Sequence, residues 1–225
     1  MAGFVGRPFQ SEILYQGQYD DLAFDVLAAP IPVYRNLLKA LGKYRATLPN
    51  VRYDAQTVAQ ANISCTLLDF SAIVQFHLDR FEVRLVKLHE VGEDVAAQIM
   101  LDAWAALKAS DPKIKLIRHR VTLDVQADLV KGTVEEVMKQ YVISPKAFGE
   151  NTRSAVIFYL KDGREGGESG SIYLDRSPLK DGALYLKLDV SLDATKVPPE
   201  KVRDQVDEFV TTRLGQLGLE VERAT

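Results

Sequence analysis

One cysteine, Cys65, stands among 225 residues, which excludes an intramolecular disulfide and any cysteine-rich zinc site. Three histidines, His77, His89 and His119, and one tryptophan, Trp104, are also scarce. Metal or acid-base chemistry built on imidazole therefore has few groups to draw on. No window approaches the roughly 18 consecutive apolar residues of a membrane-spanning helix. The opening MAGFVGRPFQSE has no basic stretch leading into an apolar run, so the expected compartment is the cytoplasm. Excess positive charge is missing too. Residues 1–112 carry 10 Lys and Arg against 13 Asp and Glu, and residues 113–225 carry 18 against 18. Phosphate-driven binding draws on a basic surface, which makes nucleic acid the least expected partner.

What is present is an ordinary globular composition, 47% hydrophobic and 26% charged, which predicts a folded chain throughout. In the first half, Leu22, Phe24, Val26 and Ala28 alternate as in a strand. A helix is expected from about 32 to 46, with Tyr34, Leu37, Leu38 and Leu41 at helical spacing and Pro32 in its first turn. Strands are expected near 61–68, 72–78 and 81–88. A helix over 94–108 follows, carrying Val95, Ile99, Ala103 and Leu107, with Trp104 in the core beside them.

The second half repeats that order. Residues 116–129 alternate, with Ile117, His119, Val121, Leu123, Val125 and Ala127 on one face. Thr133 and Glu136 form a capping-box pattern that opens a helix to about Tyr141. Strands are expected near 154–161, 171–175 and 183–192. Pro198 and Pro199 open a last helix, which Gly218 stops. Residues 24–28 match residues 123–127 at an offset of 99, and the apolar face of the following helix recurs at an offset of 100.

These patterns predict an α+β protein: a tandem duplication of a β-α-β-β-β-α module, with antiparallel sheets and helices on one face. Residues 1–19 are read as an N-terminal extension adding an edge strand or docking on a partner, 20–112 as the first repeat and 113–225 as the second. Residues 154–161 are apolar on both alternating faces, which predicts burial on both and packs the repeats into one unit. The element order resembles that of TATA-box-binding-protein-like folds and, more loosely, of helix-grip ligand binders, without a sequence motif of either. Order alone implies no function.

The densest chemical signal is residues 72–90, which hold His77, His89, Asp79, Glu82 and Glu90. Read as a hairpin turning at Asp79-Arg80, it pairs Leu78 with Phe81, His77 with Glu82 and Gln75 with Arg84. His89, continued along the second strand, falls about 23 Å from the level of His77. Zinc ligands lie about 2 Å from their metal, so no metal site is expected. His77 with Glu82 is an exposed cross-strand pair on this reading, with no serine or cysteine nucleophile beside it. His119 is expected to be a hydrogen-bonded structural histidine and Cys65 a small core residue. The glycine-rich residues 163–170 lack a Gly-Lys-Ser/Thr ending and lead into a strand, so they read as a hairpin tip rather than a phosphate loop.

With no catalytic set in view and no cofactor expected, the leading expectation is a non-enzymatic interaction or scaffold protein that binds a protein partner or a second copy of itself. The binding residues are expected on the polar sheet face: His77, Glu82, Arg84, Arg118, Arg120 and Lys187. The alternative is a small-ligand-binding protein or enzyme with a pocket between sheet and helices.

Overall fold

A computed structural model describes residues 3–141, 154–161 and 169–222. The chain begins with a long strand, β1 (Phe4–Tyr19), followed by a short helix, α1 (Phe24–Ala28), and α2 (Pro30–Leu41). Four strands come next: β2 (Val51–Asp54), β3 (Asn62–Leu67), β4 (Ala72–Phe76) and β5 (Arg80–Val86). A one-turn helix, α3 (Leu88–Val91), leads into α4 (Glu93–Ser110). The second half runs through β6 (Leu116–Lys131), α5 (Val134–Tyr141), β7 (Val156–Lys161), β8 (Ser169–Arg176), β9 (Ala183–Asp193), α6 (Val202–Gln216) and β10 (Leu219–Val221).

The fold is α+β, and its strands join one ten-stranded sheet in the order β2-β3-β4-β5-β1-β6-β9-β8-β7. All neighbours on that path are antiparallel, and β10 adds to β1 in parallel at Phe4 to Gly6. Each half opens on a 16-residue strand and passes through helix to an antiparallel meander, of four strands in the first half and three in the second, before helix again. The seam between the halves is the long β1–β6 ladder at the middle of the sheet.

Two expectations are corrected by this layout. Residues 4–19 form the central strand, not an edge strand. Residues 24–28 form a helix, so their match with strand residues 123–127 has no structural counterpart. The apolar signal of 22–28 has a different cause: Ala23, Val26 and Leu27 are buried while Leu22 and Phe24 stay exposed, a helical division of faces.

Strand alternation sends one set of side chains toward the helices. Across one row of the ladder, Cys65, Val74, Val83, Tyr15, Val121 and Val190 lie side by side and are all buried. From α2, Leu37 and Leu41 cover this face, and from α4, Ile99, Ala103 and Leu107, all fully buried. Trp104 stacks on Phe81 with ring centroids 5.7 Å apart. Removing such contacts costs several kcal/mol at a typical core leucine. Burial also pushes the Cys65 thiol up to about 11, as suits an inert core residue.

Local signals position the helix ends as the residue types demand. The Thr133 backbone N–H donates to Glu136 (2.8 Å) and the Glu136 N–H to Thr133 Oγ1 (3.2 Å), which is the reciprocal capping box. Gly218, at φ 65°, ends α6 in the left-handed conformation that glycine tolerates.

Among the described residues, no helix covers the opposite face of the sheet. Residues 154–161 therefore differ from expectation: Ile157 is 49% and Tyr159 81% exposed, because β7 is an edge strand with only one covered face. Of the glycine-rich stretch, residues 163–168 lie outside the described residues, while Ser169 and Gly170 belong to β8.

Candidate functional site

All six residues expected to bind a partner stand on or beside the uncovered face; His77 and Glu82 meet each other, and the other four meet carboxylates outside the set. The β4–β5 hairpin turns one residue earlier than expected. The His77 N–H donates to the Arg80 carbonyl (2.8 Å), leaving Leu78-Asp79 as the two-residue loop. Phe76 then faces Phe81 and Gln75 faces Glu82. Moving the centre of a hairpin by one residue moves the pairing by two, so each side chain keeps its face.

His77 Nε2 lies 3.7 Å from Glu82 Oε2, an ion-pair distance longer than a hydrogen bond. Arg80 Nε (2.6 Å) and Gln16 Nε2 (2.8 Å) donate to Glu82 Oε1. Together His77, Arg80 and Gln16 hold the Glu82 carboxyl down at about 2, against the opposing effect of desolvation. The pair is not exposed as expected, since the two side chains are 20% and 15% accessible. Three neighbouring strands supply the cover.

The remaining cations of this face meet carboxylates. Arg84 binds Glu12 through two hydrogen bonds, Arg120 binds Asp189 the same way, and Lys187 lies 3.8 Å from Asp124. Arg118 is in register with Asp193, and its charge helps to lower that carboxyl, behind the bonds that Thr195 supplies. The face is thus a mixed-sign ladder neutralised within itself.

His119 is fully buried on the covered face. Its Nε2 lies 2.8 Å from the Val197 carbonyl oxygen, which can only accept, so Nε2 carries the proton and Nδ1 accepts from the Tyr15 hydroxyl at 2.6 Å. Desolvation lowers the His119 pKa below its ordinary value. A neutral imidazole with both nitrogens satisfied is a structural group.

A large concavity lies elsewhere, on the helical side, and its origin is in the pairing of β1. On one edge β1 pairs with β5 from Glu12 to Gln18 and with β10 from Phe4 to Gly6. Between them, residues 7–11 have no strand partner on that edge among the described residues. Pro8 falls in this interval, next to a bulge at Phe9 where the β6 register shifts, a place that tolerates a residue without an N–H. Lys87, at φ 62°, turns the chain out of β5 and into α3, which lies against the gap.

The result is a cleft of about 690 Å³. Its floor is the sheet (Ser11, Leu123, Val125, Leu186, Leu188), its roof is α6 (Val210, Thr211, Leu214), and Phe4 and Leu219 close the β10 end. A smaller apolar cavity of about 90 Å³ adjoins it, sharing Glu93, Leu123, Asp207 and Val210 and reaching to Tyr15 and Met100.

At the α3 wall of the cleft, Ser11 and His89 meet. The His89 backbone N–H donates to Ser11 Oγ at 2.8 Å, and the same Oγ lies 3.2 Å from His89 Nδ1. On the other side of the ring, Nε2 lies 3.8 Å from Glu90 Oε1. Acidic side chains line the cleft as well: Glu93, Asp207, Glu220 and Glu222, the last bound by Arg7 at 2.7 Å. No Lys or Arg is among the described lining residues.

Sequence reasoning missed these residues for a topological reason. They come from β1, α3, α4, α6 and β10, and the sequence places residues 1–19 at an edge or on a partner rather than at the centre of the sheet. His89 was projected along β5, whereas Lys87 ends that strand two residues earlier. A usable signal was the Pro8 and Gly6 interruption in an otherwise extended stretch, which marks a strand with a locally free edge.

No group of three or more His, Cys, Asp or Glu suited to a metal ion occurs among the described residues. No helix among them is long and apolar enough to cross a membrane. A scan of protein-family models and a search of curated proteins each find no match for this chain.

Proposed function

We propose that the protein binds a small, largely apolar molecule in the cleft between the sheet and α6. One observation carries this reading: a cavity of about 690 Å³ with an aliphatic floor and a few convergent polar groups at one wall, within the roughly 300–1,000 Å³ of small-molecule sites. The carboxylates along its rim and the lack of Lys or Arg among the described lining residues favour a neutral or cationic ligand over an anionic one. Titration with Nile red, neutral and apolar, against an anionic naphthalene sulfonate tests it. The expected result is blue-shifted saturable binding of the neutral dye, weakened about tenfold or more by Val210→Trp. Equal affinity in that variant would sink the proposal.

A second reading, association through the uncovered sheet face with a protein partner or a second copy, is favoured by the exposed Tyr159 and Ile157 on edge strand β7. Sedimentation of the protein and of Tyr159→Lys decides it, a lighter species in the variant being the expected outcome.

We also take the two halves as copies of one module. The shared order of long strand, helix, meander and helix supports this, as does the mirrored sheet order about the β1–β6 seam.

A further inference from the structure

We infer that Ser11 and His89 form a nucleophile and general-base pair that cleaves a neutral acyl ester held in the cleft. The inference rests on the cleft being a ligand site and adds a reaction to it.

The hydrogen-bond inventory of Ser11 carries the argument. A serine hydroxyl has one proton and two lone pairs. One lone pair takes the His89 backbone N–H at 2.8 Å. For the proton, the acceptor within hydrogen-bond distance among the described residues is His89 Nδ1 at 3.2 Å. If Nδ1 carried the hydrogen, Oγ would accept twice and its own proton would have no acceptor among the described residues. The arrangement therefore selects the tautomer with hydrogen on Nε2 and a basic Nδ1. One lone pair of Oγ remains for attack.

Nucleophile, base and a third group stand in sequence, as activated serines require. Nε2 faces the Glu90 carboxylate at 3.8 Å, where an imidazolium formed during reaction is stabilised. Main chain and ring of one residue grip Oγ together, which fixes the hydroxyl against the base before any ligand arrives. Ser11 shares its row of the ladder with Val125 and Leu186, so an acyl chain lying on the aliphatic floor brings its carbonyl to Oγ.

The chemistry balances with water as the second substrate. Oγ bonds to the carbonyl carbon as its proton passes to Nδ1. The tetrahedral adduct then breaks its bond to the alkoxide oxygen, which takes that proton and departs as the alcohol. Water gives a proton to Nδ1 and bonds to the acyl carbon, and the Ser11 oxygen leaves with the proton returned. Ester and water become carboxylic acid and alcohol.

Full-length protein treated with an alkyl fluorophosphonate and read by intact mass tests the pair, with Nile red binding measured in parallel. The wild type is expected to take one adduct, mapped to Ser11, and Ser11→Ala none. His89→Gln keeps an acceptor for the hydroxyl but no base, and its labelling and its hydrolysis of p-nitrophenyl esters should fall about 100-fold or more while dye binding persists. Dye binding without an adduct, or labelling undiminished in His89→Gln, overturns the dyad and leaves the cleft reading standing. Absence of both dye binding and adduct overturns the two together.

Discussion

The Tyr15 hydroxyl donates to Nδ1 of His119 across the seam between the halves, at 2.6 Å, with both side chains almost wholly buried. Tyr15→Phe removes the donor and leaves a buried nitrogen without a partner. Unsatisfied groups of this kind cost about 1–3 kcal/mol, so urea unfolding should report a loss in that range with little change in the m-value.

His119 also predicts a pH dependence. Its folded pKa lies below the 6.5 of a free imidazole because desolvation disfavours the charged ring. The unfolded chain therefore binds the proton more readily. The contribution of His119 is fully present above about pH 6.5 and declines as the pH falls from there toward the folded pKa. Stability measured from pH 7.5 downward should decrease over that interval, and His119→Gln should flatten this part of the curve.

Glu82 works in a lower window. With its carboxyl held at about 2 against an ordinary 4.5, it stabilises the fold above pH 4.5, and that contribution fades as the pH falls from 4.5 toward 2. Glu82→Gln removes the charge that Arg80 and Gln16 address and should cost about 1.5–3 kcal/mol at pH 7. Arg120→Ala removes a guanidinium that is 55% exposed in its pair with Asp189 and should change stability by less than about 1 kcal/mol. The same denaturant series ranks the two, and equal effects would contradict the burial of Glu82.

Gly170 is a packing constraint. A methyl at this position would press on the Asp189 backbone carbonyl oxygen and stand 2.8 Å from the Phe209 ring. The carbonyl belongs to the paired strand β9 and cannot turn aside. Gly170→Ala should therefore destabilise by about 1–3 kcal/mol, visible as a lowered thermal midpoint.

Much of the fold was legible wherever periodicity had one cause. The helices at 30–41, 93–110 and 202–216 and the strands β3 to β6 follow from spacing that burial reproduces. β1 was not legible, because Gly6, Pro8, Gly17 and the bulge at Phe9 break its alternation, and pairing with two strands far along the chain overrides that weak local pattern. The site residues suffered more. Ser11 and His89 are 78 positions apart, and nothing in either local pattern anticipates their contact. His77 and Glu82, close together on a hairpin, are legible as a pair, but their exposure is not, since it depends on how many strands flank them.

The seam at the centre of the sheet has a kinetic consequence. Residues 4–19 are synthesised more than 90 residues before β6, their main partner, and Arg7 meets Glu222 only across a separation of 215 positions. A first meander of β3 to β5 can form early on the ribosome, yet its hydrogen-bonding edge at β5 stays open until β1 is captured. Topologies of such high contact order fold slowly, and exposed strand edges recruit wrong partners while they wait. The seam waits for Leu116–Lys131 and the β1–β10 pairing for Leu219–Val221, so the middle of the sheet is completed after the first meander.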